Sequence, residues 1–350
     1  MIKIFDELGS FLRTFQTYYN KHNKNKYISK DYKIIFSNLK KIVKKITLTN
    51  SWFREEDLLI TINQWGNSLK KEKLEYWINK YSLKMNRKSM KVLVIMAGNI
   101  PMVGFHDLLC VLISGHKIII KLSEEDNLLI PFLCKVLIYK KPSLRNKIKF
   151  TKNIFQEEFD YVIASGNNNT ARYFEYYFRK FPLLLRKGKT SIAVLQGNES
   201  EEELFNLNKD ILTYSGKGCR NVGKIFIPHN YDINLILEKS YISKYIMKNY
   251  KYINNYKYYL SIYIMQKIPF HKNNFLLFKE EKNFHSPISV VYYEFYNNLN
   301  QLRRIIKNNN QHIQCVVSKN FLKEEICFGK TQYPKLEEYS DGIDTIRFLN

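Results

Sequence analysis

The chain has 350 residues, 45% of them hydrophobic, and a mean hydropathy of −0.36, which excludes a disordered polypeptide and leaves room for two domains with buried cores. Lys and Arg number 56 against 32 Asp and Glu, a formal net charge of +24, but the excess is diffuse and largely lysine. It travels with Asn, Ile and Tyr, as in Asn20-Lys21-His22-Asn23-Lys24-Asn25-Lys26-Tyr27, so drift toward A/T-rich codons explains it better than a clustered nucleic-acid surface.

No apolar run reaches the ~18 residues of a membrane span, and Met1 to Leu8 lacks the succession of a signal peptide. The expectation is a cytoplasmic protein with no nucleic-acid partner, whose field still attracts acidic ligands such as nucleotides and CoA phosphates. The first ninety residues read as amphipathic helices: Phe5, Leu8, Leu12 and Phe15 recur at helical spacing, as do Ile34, Ile35, Leu39, Ile42 and Val43. Asn50 or Ser51 is expected to cap a helix through Glu55-Glu56-Asp57, and Leu74 to Tyr81 forms another.

From Lys91 the pattern changes. Val92 to Met96 reads as a buried strand, Phe105 to Ser114 as an apolar helix stopped by Gly115, and Ile118-Ile119-Ile120 as the next strand. Leu128 to Leu137 is helical, with Pro131 confined to its first turn. Tyr161 to Ala164 is a third strand, followed by Ser165-Gly166-Asn167 and a helix from about Asn169 to Phe181. Strands that are apolar throughout and alternate with helices predict a parallel sheet covered on both faces. A second region opens with Ser191 to Leu195 and holds an acidic helix from Glu199 to Leu207. The strands Lys224 to Pro228, Ile288 to Tyr293 and Ile313 to Val317 follow, while Tyr250 to Tyr263, rich in Lys, Asn and Tyr, carries no evident chemistry.

Five cysteines cannot all pair, and none has CxxC spacing. Cys110, Cys134 and Cys315 lie in apolar surroundings. His312 and Cys315 have a loose ligand-like spacing without a second pair, so no metal is expected. Cys219 alone lies in a small-residue, basic turn, Tyr214-Ser215-Gly216-Lys217-Gly218-Cys219-Arg220-Asn221, suited to close substrate approach and a lowered thiol pKa. Gly98-Asn99-Ile100-Pro101, far upstream, offers an amide donor for a developing oxyanion. Phosphate signatures are missing: no GxGxxG follows a strand, and Gly188-Lys189-Thr190 and Gly329-Lys330-Thr331 lack the upstream glycine of a P-loop. Ser165-Gly166-Asn167 remains suitable for an anion at a helix N-terminus, with an ordinary N-cap as the plainer reading.

Four blocks in order carry a family resemblance. "GNIPMVGFHDLLCVLISGHKIIIKLSEED" from Gly98, "FDYVIASGNNNTARYFEYYF" from Phe159, "YSGKGCRNV" from Tyr214 and "YPKLEEYSDGIDTIRFL" from Tyr333 resemble LuxC-type acyl-CoA reductases of the aldehyde dehydrogenase superfamily. The resemblance runs from about Lys91 to the C-terminus. It implies an α/β, aldehyde-dehydrogenase-like fold: a Rossmann-like cofactor domain and an α/β catalytic domain. The implied organisation is a helical N-terminal part of the cofactor domain over 1–90, the nicotinamide-binding domain over 91–188, the catalytic domain over 189–325, and a segment over 326–350 that returns to the cofactor domain or makes an oligomer contact.

The resemblance further implies that Cys219 is the nucleophile and Asn99 the oxyanion-hole asparagine. Lys121 and Ser123 would meet the adenosine ribose, and Gly166 and Asn167 would lie under the pyrophosphate. The implied reaction is NADPH-dependent reduction of a long-chain fatty acyl-CoA to its aldehyde through a cysteine acyl-enzyme, with NADH left open because Glu124 suits a ribose diol. Leu185 stands where hydrolytic relatives carry a water-activating glutamate. Implied partners are an acyl-CoA or acyl-carrier thioester, an acyl-activating protein and further copies of the chain. Alternatives are a CoA-acylating dehydrogenase acting on shorter aldehydes, a non-catalytic basic binding protein and a degenerate homologue. His106 and Asp107 are weighed as proton handlers against a capped helix start.

Overall fold

The computed structural model describes residues 1–20, 30–82 and 88–350, and divides into two compact units. The first comprises Met1–Lys187 with Lys335–Asn350, the second Gly188–Pro334. Among the described residues no helix is long and apolar enough to cross a membrane.

The first unit begins with four helices, α1 (Ile2–Asn20), α2 (Lys30–Thr49), α3 (Glu55–Ser68) and α4 (Lys71–Ile78). An alternating stretch follows: β1 (Lys91–Ile95), α5 (Phe105–Ile113), β2 (Lys117–Lys121), α6 (Leu129–Lys140), β3 (Ile148–Phe150), β4 (Tyr161–Ser165), α7 (Asn168–Tyr177) and β5 (Leu183–Arg186). The strands form one parallel sheet in the order β3-β2-β1-β4-β5. Successive side chains of a strand point to opposite faces, and both faces here are apolar. Val92, Val94, Ile118, Ile120 and Ile163 join the core shared with the N-terminal helices; Leu93, Ile119, Val162 and Ala164 pack on the other side with Phe178.

The second unit contains β6 (Thr190–Val194), α8 (Glu201–Leu212), β7 (Val222–Pro228), α9 (Asn234–Lys239), α10 (Tyr250–Met265), β8 (His271–Lys272), β9 (Leu277–Glu280), β10 (Val290–Tyr296), α11 (Leu299–Asn308) and β11 (Ile313–Val317). Its sheet runs β11-β6-β7-β10-β9-β8, parallel except for β8 against β9.

Local chemistry sets the boundaries. Gly115, at φ +87°, ends α5, and Pro131 is the third residue of α6, where its missing N–H is not needed. The expected cap of α3 differs: Arg54 is the N-cap residue and offers no side-chain cap, while Asn50 Oδ1 instead accepts from Trp52 N–H in the preceding turn. The acidic helix starts at Glu201, not Glu199, because Ser200 and Glu203 form a reciprocal capping box and Glu199 accepts from Gln196 and Gly197 N–H. Helix α7 stops at Tyr177, before Phe181, ahead of the strand-forming leucines after Pro182.

Candidate active site

In the second unit, Cys219 lies in the connection between α8 and β7. The chain leaves α8 through three successive residues in the left-handed region, Tyr214 (φ 54°), Ser215 (φ 57°) and Gly216 (φ 74°). Tyrosine and serine occupy that region at a steric cost, so surrounding contacts must fix them. Tyr214 and Ser215 are buried, and Ser215 Oγ accepts from Asn249 Nδ2 at 3.2 Å. Cys219 itself is half-buried, whereas Cys110 and Cys134 are buried and Cys327 is exposed. No disulfide joins any of the five, all of which are among the described residues.

Buried Asn221 holds the turn together. Its Oδ1 accepts from Gly218 N–H at 2.8 Å, and its Nδ2 reaches the carbonyls of Asp210 (2.9 Å), Ile211 (3.2 Å) and Thr213 (2.8 Å). These carbonyls end α8, where helices leave acceptors without intrahelical partners. From β6, Ser191 Oγ donates to Cys219 O at 3.0 Å and lies 2.9 Å from Cys315 Sγ. Arg220 Nε donates to Thr331 O at 2.9 Å, which ties this arginine to the segment that follows Phe328. Asp210 accepts from Gly329 N–H, Thr331 N–H and Thr331 Oγ1, and burial pushes its carboxyl up to about 6. The Gly329-Lys330-Thr331 triplet thus anchors to α8, consistent with its reading as no P-loop.

In the first unit the remaining predicted residues share one edge of one sheet. Asn99 follows β1, Lys121 and Ser123 close β2, and Gly166 and Asn167 follow β4. All lie at the carboxyl ends of parallel strands, and β1 lies between β2 and β4, where the strand order reverses. Such an edge is where open parallel sheets bind ligands. Gly98 and Ser123 meet closely: a Cβ on Gly98 would fall 2.5 Å from Ser123 Oγ. Lys121 Nζ donates to Leu122 O at 3.0 Å. Asn167 is the N-cap of α7, its Oδ1 accepting from Thr170 N–H at 2.8 Å, so the plainer reading holds for that side-chain oxygen. The Gly166 N–H donates to Arg186 O at 3.2 Å, so the first-turn amides of Asn168 and Asn169 are the groups suited to a diphosphate.

Sequence reasoning missed Asp126. Its Oδ2 accepts from Met102 N–H at 2.6 Å and pins the turn that carries Asn99; Met102 has φ 58°. Its Oδ1 is buried with no hydrogen-bond partner among the described residues, and burial pushes the carboxyl up to about 6.

His106 and Asp107 open α5 but cap nothing there, since its N-cap residue is Gly104 with no side-chain cap hydrogen bond. Asp107 is 4% exposed and pairs with Arg186, 7% exposed, through Nη2 at 2.6 Å and Nε at 3.2 Å. Arg186 also donates to Ser340 O (2.6 Å) and Thr345 Oγ1 (2.7 Å). His106 Nε2 lies 2.9 Å from Leu336 O among the rings of Trp65, Trp77 and Tyr339, and burial lowers its pKa. Both residues bind the C-terminal segment into the first unit. Leu185 packs among the apolar residues beneath β4, with Ile95, Phe159 and Leu183. Among the described residues no group of three or more His, Cys, Asp and Glu side chains gathers as a metal site would require.

No protein-family model and no curated protein sequence matches the chain. Solved structures do match its fold. The aldehyde dehydrogenase KauB of Pseudomonas aeruginosa aligns at TM-score 0.61 and 12% identity, over 91% of this chain and 75% of that one. An NAD+ complex of aldehyde dehydrogenase from Bacillus cereus aligns at 0.58 and 12%, over 90% and 71%. A mutant of AldA indole-3-acetaldehyde dehydrogenase of P. syringae, in complex with NAD+ and IAA, aligns at 0.62 and 11%, over 90% and 72%. The fold is aldehyde-dehydrogenase-like, with a Rossmann-like sheet in one unit and a largely parallel sheet in the other, as the resemblance in the sequence implied.

Proposed function

We propose that the protein is a nicotinamide-dependent reductase of fatty acyl thioesters, working through an acyl-enzyme on Cys219. The observation that carries the reading is the turn of Cys219: a half-buried thiol in a small-residue connection fixed from three sides, on an aldehyde-dehydrogenase-like fold. Solved neighbours of that fold include NAD+ complexes. The carboxyl edge that gathers Lys121, Ser123, Gly166 and Asn167 fits such a dinucleotide, because main-chain amides and one lysine meet there at the reversal of strand order. A reduced nicotinamide supplies a hydride when bound. We assign NADPH as the donor, with Glu124 keeping NADH open.

The chain's own part begins with the Cys219 thiolate. Its sulfur forms a bond to the thioester carbonyl carbon, the carbon–sulfur bond to CoA breaks, and CoA leaves as thiolate. In this assignment the Cys219 N–H stabilises the tetrahedral oxyanion, a donor of this kind contributing ~10²-fold or more in rate. Leu185 in place of a carboxylate favours an enzyme that passes its acyl group to reduction instead of water. The substrate is an acyl-CoA or acyl-carrier thioester; an acyl-activating protein and self-association belong to the same proposal.

The test is intact mass after incubation with hexadecanoyl-CoA and no nicotinamide. An acyl adduct should appear on Cys219, vanish in Cys219→Ala, and discharge as aldehyde on addition of NADPH. A Cys219 that never acquires the adduct in folded protein refutes the reading; discharge as free acid refutes the role given to Leu185.

A further inference from the structure

We infer that Asn221 and Ser191 are positioning residues that aim the main chain of the nucleophile, fixing the direction of the Cys219 N–H. This rests on the acyl-enzyme reading above, and it is carried by four hydrogen bonds to successive peptides of the turn. Asn221 N–H donates to Gly218 O at 2.9 Å, and Gly218 N–H donates to Asn221 Oδ1 at 2.8 Å. Ser191 Oγ donates to Cys219 O at 3.0 Å, and Ser191 N–H donates to Asn221 O at 3.2 Å. The Gly218–Cys219 peptide is trans. In a planar trans peptide the C=O and N–H point in opposite directions. The Asn221 main-chain N–H on Gly218 O therefore directs the Cys219 N–H the opposite way, while the Asn221 carboxamide on Gly218 N–H and the Ser191 hydroxyl on Cys219 O fix the peptides before and after it.

The carboxamide is itself held. Its Nδ2 has two hydrogens for three carbonyls, those of Asp210, Ile211 and Thr213, so it caps the end of α8 while its oxygen holds the turn. Ser191 is fully buried in β6, a central strand, and gives the second hold a rigid base. Cys315 Sγ, 2.9 Å from Ser191 Oγ, can donate its hydrogen to that oxygen, which leaves the hydroxyl hydrogen for Cys219 O. Neither side chain needs to touch a substrate for its loss to matter, since an oxyanion donor displaced by about 1 Å costs ~10²-fold in rate.

The experiment compares two reactions of the same sulfur in the full chain. Single-turnover acylation by hexadecanoyl-CoA, followed by quench and intact mass, needs the oriented amide. Alkylation by iodoacetamide needs only an accessible thiolate. In Asn221→Ala the saturating acylation rate should fall ~10²-fold, with half-saturation changed less than about twofold and alkylation less than about threefold. Ser191→Ala removes one oxygen and should show the same split, at about tenfold. Acylation and alkylation falling together in folded protein would mean a merely structural role and overturn the inference. So would a rate restored by more thioester, or no change in either reaction. If Asn221→Ala does not fold, Ser191→Ala decides alone. A parent protein that is alkylated on Cys219 but never acylated overturns the acyl-enzyme reading itself, and this role with it.

Discussion

Removing Arg186, the last residue of β5, should destabilise the first unit strongly. In Arg186→Leu the Asp107 carboxylate stays buried with the Thr345 hydroxyl as its remaining side-chain partner, at 3.4 Å. Two unit charges about 4 Å apart interact by about 4 kcal/mol at an effective dielectric near 20, and breaking a buried pair typically costs ~3–5 kcal/mol. The lost bond to Ser340 O adds about 1 kcal/mol. The three tryptophans, Trp52, Trp65 and Trp77, all belong to the first unit, so tryptophan fluorescence in urea follows that unit alone. Arg186→Leu should lose ~4–6 kcal/mol, while Arg186→Leu combined with Asp107→Leu should lose less than the single change, a coupling of about 2 kcal/mol or more. Both values should change little between low and moderate salt, because the pair is buried. A loss below about 1 kcal/mol, or a double variant that simply sums two losses, would refute the reasoning.

Asp126 should make stability depend on pH. Its unfolded carboxyl titrates near 3.8 and its folded one near 6, so the native state keeps a proton that the unfolded chain has lost. Stability from this group is therefore complete below about pH 4 and is lost as pH rises through 6, a change of about 3 kcal/mol. Asp126→Asn should gain on the parent between about pH 4 and 6 in urea titrations and keep that gain at higher pH; a constant difference across that window would contradict this, and the comparison cancels the similar trend from Asp210. Gly98→Ala should displace the Asn99 turn, since its Cβ would fall 2.5 Å from Ser123 Oγ, and should lower the stability of the first unit in urea; Ser123→Gly in the same chain should restore part of it, and no restoration would show that the contact is not the cause. Ser200→Ala should cost about 1 kcal/mol in thermal or urea unfolding by losing the capping box of α8, and a cost near zero would mean the box does not form in solution.

Much of the fold was legible because its central strands are apolar throughout. Val92 to Ile95, Ile118 to Ile120 and Tyr161 to Ala164 bury both faces, and short continuous apolar runs separated by helices fit a doubly covered parallel sheet and little else. Strand β5 was not legible: Leu183-Leu184-Leu185 has no period to separate strand from helix, and buried Arg186 argues against a core strand until Asp107 and the C-terminal segment are brought to it. The pairing of His106 with Leu336 and of Asp107 with Arg186 spans 230 and 79 residues, distances that local patterns do not encode. In the Cys219 turn the glycines do not mark where most of the left-handed backbone falls. Tyr214 and Ser215, not glycines, take two of the three left-handed positions, and no composition rule places tyrosine there.

The stretch from Tyr250 to Tyr263 shows why a biased composition is a poor guide to irrelevance. Lys, Asn and Tyr dominate it, and nothing in it resembles a site. Yet it forms α10, whose N-cap is Asn249: Oδ1 accepts from Lys251 and Tyr252 N–H, and Nδ2 donates to Ser215 Oγ. One side chain starts the helix and holds a strained residue four positions before the proposed nucleophile. Tyr252, fully buried, sets the helix in place from its first turn. Codon drift can change the exposed positions of such a helix at little cost, because surface substitutions seldom move stability far. It cannot change Asn249 without releasing both a helix terminus and a left-handed serine. The residues that support the turn are therefore carboxamides and hydroxyls in ordinary-looking sequence, Asn221, Ser191 and Asn249, and their importance lies in what they hold.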